Sequence, residues 1–272
     1  MANEPLHPAD YEEPTCLLCM QQGAEPVPIG RILEKLDDYF HFKDFAAAER
    51  HLHYWLAEAE QNGDLRGQFS LQNELMGFYR KTGKKEQAIA HAAKAVALVD
   101  KLDNAGSISA GTAYVNTATV YQNFDMPEQA IGWFQKALPI YESSLPKTDK
   151  RLGALYNNLG LTLTALHRYP EARESYEKAL SVMAHVPGGK PEIAMTCLNL
   201  ADTLSAEQGL DAEKQVQELL DRAYDCLCDE EAPRDGYYAF VCEKCAPVFG
   251  YYGCFLQEAD LQKKVREILE RT

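Results

Sequence analysis

Long apolar runs are missing from this 272-residue chain: nothing approaches the roughly 18 consecutive apolar residues of a membrane-spanning helix. Positive charge is scarce too. Lysine and arginine number 27 against 41 acidic residues, for a net charge of −14. Neither a nucleic-acid backbone nor an anionic membrane surface is therefore an expected partner; a basic or neutral protein surface is. The opening residues MANEPLHPAD lack the basic and apolar segments of a secretory signal, and the expectation is a soluble, cytoplasmic protein. Catalytic signatures are also absent, with no G-x-S-x-G, H-E-x-x-H or G-x-x-x-x-G-K-[ST]. Val186-Pro187-Gly188-Gly189-Lys190 reads as a loop, and no enzyme is expected. His41, His51 and His53 cluster, but residues two apart face different sides of a helix, so no metal site is expected there.

What the chain does have is 46% hydrophobic residues arranged on a repeating grid. From Tyr156 to Leu180 it reads YNNLGLTLTALHRYPEARESYEKAL, and the same spacing recurs upstream. Ala88, Ala130 and Ala172 are 42 residues apart, as are Met76, Ala118 and Gly160. Downstream, LNLADTL from Leu198 to Leu204 repeats the first half, with Leu200 and Ala201 in the places of Leu159 and Gly160. Each unit reads as a pair of antiparallel helices. Small residues let the two backbones approach, and stacking buries a face that one pair cannot bury alone. Breakers fall where the helices must join, at Thr82-Gly83, Asp125-Met126-Pro127 and Arg168-Tyr169-Pro170. Pro127 and Pro170 suit a first helical turn, followed by Glu128 and Glu171 near the positive end of the dipole.

This grid resembles the tetratricopeptide repeat, with Tyr156, Leu163 and Tyr176 standing in for its tryptophan, tyrosine and phenylalanine. The long period is similar to that of kinesin light chain and related bacterial repeats. The resemblance implies an all-α, right-handed superhelical solenoid of about six antiparallel helix pairs over residues 29–272. The first unit spans Ile29 to Gln68, with Tyr39, Ala48, Leu52 and Trp55 on its core face. A later unit from Ala194 carries an insertion around Glu207 to Glu213 before Val216, Leu220 and Ala223. The last, from Gly236, holds Pro247 and closes the stack. Residues 1–28, with Pro5, Pro8, Pro14, Pro26 and Pro28, read as an extended arm.

Asparagine gives the first functional signal. Asn116, Asn158 and Asn199 each directly precede the grid pair of their first helix. Asn73 and Asn157 sit one position earlier, and Gln122, Asn123, Arg80 and Lys81 lie near the same surface. The resemblance implies that this face lines a groove whose asparagines grip a bound peptide. A carboxamide offers both donor and acceptor and so matches a main-chain amide whatever the peptide's sequence. Tyr114, Gln122 and Thr164 would then set preference. The alternative is that these asparagines bridge neighbouring helices inside the stack. The central repeats show hydrophobic or neutral residues where family members carry a basic carboxylate clamp, so no such clamp is expected.

Cysteine spacing gives the second signal. Cys16 and Cys19 form a C-x2-C in the arm, Cys242 and Cys245 another in the last unit, and Cys226 and Cys228 lie upstream. Two such pairs complete a tetrahedral zinc site. An extended arm of about 25 residues reaches about 80 Å, enough to bring the first pair to the second, and a homodimer would serve equally. The plainer alternative is that Cys242 and Cys245 are small core residues; a redox pair is disfavoured by a position inside a helix rather than at its start. Tyr237, Tyr238, Phe240, Phe249, Tyr251, Tyr252 and Phe255 crowd the last unit as an end cap or a dimerisation patch. The function expected is a scaffold binding an extended segment of a partner protein. The alternatives are a zinc-stabilised or redox-responsive regulator, and a peptide sensor acting on an effector in trans.

Overall fold

The computed structural model describes residues 26–229 and 234–270. The expected arm thiols Cys16 and Cys19 lie outside the described residues, and only residues 26–28 of the arm lie within them, none of them helical. Twelve α-helices and no strand occur among the described residues. They pair in order: α1 (Ile29–His41) with α2 (Phe45–Gln61), α3 (Leu65–Lys81) with α4 (Lys85–Lys101), and α5 (Ile108–Asn123) followed by α6 (Pro127–Ser144). The second half has α7 (Lys150–Ala165) with α8 (Tyr169–Met183), α9 (Lys190–Gln208) with α10 (Glu213–Cys228), and α11 (Gly236–Tyr251) with α12 (Phe255–Leu269). Two compact units result, Met1–Ala137 and Leu138–Thr272. No helix among the described residues is long and apolar enough to cross a membrane.

The three-residue connections are tight because one residue in each turns the chain. Gly63, Gly83 and Gly253 adopt positive φ between flanking helices, and so do the non-glycine residues Lys43, Asp125 and His167. Glycine adopts that left-handed conformation without a Cβ penalty, which is why Thr82-Gly83 announces its turn in the sequence. At the third expected break the helix already begins at Tyr169, and His167 makes the turn. Asp44, Asp64, Ser107, Asp149 and Asp235 cap the helices that follow them, each side chain accepting a backbone N–H of the first turn.

In the first unit Ile32, Leu36, Ala48, Leu52, Leu71, Leu75, Met76, Ala88 and Ala92 form one buried cluster, with Tyr39 and Trp55 packed at its edge. The first helix pair ends at Gln61, and Gln68 belongs to the next helix. The expected boundary ran too far because α1 has 13 residues against the 17 of α3, and the chain passes from α2 to α3 through residues 62–64 alone, where it passes from α4 to α5 through residues 102–107. Beside the cluster His91 is buried, its Nδ1 2.6 Å from Gln72 Oε1. Burial above all, with Lys94 and His53 nearby, pushes its pKa down to about 4. The unfolded chain therefore takes up a proton near pH 6.5 that the folded chain refuses until about pH 4. The resulting stability is present above pH 6.5 and is lost as pH falls toward 4. A fall of about 1–2 kcal/mol between pH 7 and 5 is expected. Urea midpoints at both values check it, and His91→Gln should flatten the difference.

In the second unit Ala172, Tyr176, Ala179, Ala194 and Ala201 are completely buried. α9 packs against α8 and α10 and also touches α7 and α11, so the first helices of successive pairs lie side by side. The expected insertion appears as a 3-10 turn, Gly209–Ala212, ahead of the buried Val216, Leu220 and Ala223. In α11, Pro247 stands inside the helix as expected. The terminal aromatics divide. Tyr238 and Phe249 are core, whereas Tyr237, Phe240, Tyr251 and Phe255 are exposed.

Candidate functional site

The five asparagines stand on first helices and are all half-buried, on a face neither sealed in the core nor free in solvent. In the first unit Asn73 on α3 donates from Nδ2 to Phe69 O at 2.9 Å, and its Oδ1 accepts from Asn116 Nδ2 on α5 at 3.4 Å. In the second unit Asn199 Nδ2 on α9 donates to Asn157 Oδ1 on α7 at 3.0 Å. The neighbour of Asn199 is thus Asn157, which was read as one position off the ladder. The 42-residue period accounts for it, since Asn157 to Asn199 is a full period while Asn158 to Asn199 is one residue short. One residue rotates a side chain by about 100° around a helix.

The bridging role set against peptide binding is therefore real, yet it does not exhaust the amides. A carboxamide has two donors and two acceptor lone pairs, and each inter-helix bond uses one donor and one lone pair. Asn157 keeps its Nδ2 and Asn199 its Oδ1 for another partner. Gln122 is half-buried on α5, and Asn158 is half-buried one residue along α7 from the pair. Of the residues expected to set preference, Tyr114 is buried, its ring stacked on Trp133 at 5.7 Å. Two residues before Asn116, it is turned about 200° away from it around α5. Thr164 is half-buried; its Oγ1 lies 2.8 Å from Thr203 Oγ1 and donates to Gly160 O at 3.0 Å. Seven residues from Asn157, it shares that residue's face of α7.

Asn157 and Asn158 line a cleft of about 410 Å³ within the second unit, walled also by Met183, Glu192, Met195 and Tyr237. Tyr237 closes one end, its hydroxyl donating to Glu192 Oε1 at 3.0 Å. Burial, then the adjacent Glu192, pushes that hydroxyl's pKa up. Sequence reasoning passed over Glu192, whose only signal is an acidic residue in the first turn of α9.

The thiols take a different place. Cys242 and Cys245 are buried on α11, and burial pushes both pKa values up, that of Cys245 to about 12. Cys197 is likewise buried and raised to about 11. Cys228 Sγ accepts from Lys264 Nζ at 3.2 Å. All six described cysteines are free, and no group of three or more His, Cys, Asp or Glu residues is placed to hold a metal among the described residues. His51 Nε2 lies 3.1 Å from Ile32 O and His53 Nε2 2.7 Å from Tyr79 OH, so each ring has its own partner. Because the thiolate is the nucleophile, Cys245 and Cys197 of the folded chain should alkylate on the order of 100-fold slower than Cys254. Iodoacetamide labelling read by mass spectrometry checks this, and equal rates would contradict the buried placement.

A sequence profile described as tetratricopeptide repeat matches residues 68–143 and 151–225, more than half of the chain. Protein HGV2 of Halocynthia roretzi is 46% identical over 55 residues, 20% of this chain and 11% of that protein, so the chain spans about a tenth of that relative's length. Among solved structures, BtubC (BKLC) from P. vanneervenii is similar with TM-score 0.66 and 20% identity, over 73% of this chain and 79% of that one. The putative kinesin light chain repeats of Podosopora anserina give 0.53 and 18%, over 74% and 94%. NprR in complex with its cognate peptide NprX gives 0.59 and 14%, over 88% and 66%. At these identities the likeness to the solved structures is one of fold.

Proposed function

The chain belongs to the tetratricopeptide repeat family, and on that premise we propose that it is a non-enzymatic scaffold whose first-helix face binds an extended segment of a partner protein. The observation that carries this reading is the asparagine pairing. Asn73 with Asn116 and Asn157 with Asn199 are held in place by inter-helix bonds, and Asn157 of the second pair lines a cleft of about 410 Å³. Side chains fixed in this way lose little freedom on binding, which favours affinity. The peptide complex of NprR supports the reading as a fold of this kind occupied by a peptide. A cytoplasmic, reducing setting belongs to the same reading, one in which the six described cysteines stay free thiols.

The test is selection of random 12-residue peptides on the intact chain, followed by affinity measurement with Asn157→Ala/Asn199→Ala. Selection of peptides that bind the wild type and are lost by the variant is the expected result; binding that survives the variant contradicts it. The zinc-based alternative rests on Cys16, Cys19, Cys242 and Cys245 and is tested separately by the zinc content of purified chain. The sensor alternative uses this same groove and differs only in requiring an effector in trans.

A further inference from the structure

We propose that the cleft beside Asn157 and Asn158 is a specificity pocket for a basic side chain of the bound segment, with Glu192 as its recognition group. This rests on the groove reading above and deepens it. Glu192 Oε1 accepts from the Tyr237 hydroxyl, whereas Oε2 is buried and has no hydrogen-bond partner. A buried carboxyl oxygen left without a donor is destabilising; Glu192 lines the open cleft, and a small rotation of its carboxylate would turn Oε2 to a donor that arrives with a ligand.

The cleft's other walls narrow the choice of donor. Met183 and Met195 offer apolar surface that suits the methylene stem of a long side chain whose charge lies at its tip. Two cations line the same cleft. Arg151 is held by Asp149, donating from Nε at 3.0 Å and from Nη2 at 2.6 Å, and Lys150 is exposed. With Oε1 bonded to Tyr237, Oε2 is the one carboxyl oxygen of Glu192 without a donor. It matches the compact ammonium of lysine better than the two-pronged guanidinium of arginine. The chain's net charge of −14 favours approach of a basic segment.

The experiment uses the intact chain and a phage-displayed library of random 12-residue peptides. Wild type, Glu192→Gln and Asn157→Ala/Asn199→Ala are compared after circular dichroism has shown equal helicity and melting. The wild type is expected to enrich peptides with lysine at one fixed position, arginine being less frequent. Glu192→Gln keeps the shape and the bond to Tyr237. It should still select peptides, but without the basic preference, and it should bind a wild-type-selected peptide on the order of 30-fold more weakly. Replacing that peptide's lysine with norleucine should weaken binding to the wild type equally and leave binding to Glu192→Gln unchanged. Equal basic enrichment by wild type and Glu192→Gln overturns the pocket and leaves the groove reading standing. Selection of the same peptides by Asn157→Ala/Asn199→Ala as by wild type, or of none by wild type, overturns the groove reading and the pocket with it.

Discussion

Tyr176→Ala should destabilise the chain by about 3–5 kcal/mol, the usual loss for deleting a large buried aromatic. The Tyr176 ring is completely buried, and a methyl group at Gly160 would stand 2.6 Å from it. The tyrosine of one helix and the missing side chain of its partner therefore make a single contact. Its hydroxyl lies 3.4 Å from Thr164 Oγ1, so truncation also strips a partner from the α7–α9 threonine link. Gly160 cannot fill the vacated space, and the cavity remains. Denaturant unfolding monitored by circular dichroism measures the loss. A change below about 1 kcal/mol would mean that α7 and α8 collapse onto each other, and that the glycine-tyrosine pair does not define their spacing.

Replacing Asn157 and Asn199 together by alanine should weaken a selected peptide on the order of tenfold while leaving helicity intact. Each carboxamide that holds main chain contributes roughly 0.5–1.5 kcal/mol net, and tenfold in affinity corresponds to about 1.4 kcal/mol. Two such groups reach the tenfold mark at about 0.7 kcal/mol each. The inter-helix bond at 3.0 Å is lost in the same variant. It joins half-buried positions, so its loss should alter stability much less than the loss of Tyr176. Fluorescence anisotropy for affinity and thermal melting for stability separate the two consequences. A variant that melts early and binds normally would make these asparagines structural alone.

The grid was legible because it is written in side-chain size. Ala88, Ala130 and Ala172 are all completely buried, as residues at close helix crossings must be. Gly160 could be read as a contact, since only its lack of a Cβ admits the Tyr176 ring. The asparagines were legible as a set and misassigned by one residue. A ladder is fixed by helix rotation, and Asn157 and Asn158 are adjacent in sequence but about 100° apart on the helix. Tyr114 was misread for the same reason. Glu192 was illegible. A single acidic residue in a first turn is common, and only the fold brings it against Tyr237, 45 residues away. Cys242 and Cys245, three apart, read in sequence first as core residues and second as ligands, and both are buried.

The central claim is that asparagines hold the main chain of a bound segment, and backbone N-methylation of a selected peptide tests it most directly. Methylation at successive positions removes one N–H donor at a time and leaves every side chain in place. Titration of that series should show positions where methylation weakens wild-type binding on the order of tenfold or more, with the same positions indifferent in Asn157→Ala/Asn199→Ala. If methylation at no position matters to the wild type, the segment is held through its side chains alone, and the role assigned to Asn157 and Asn199 is wrong.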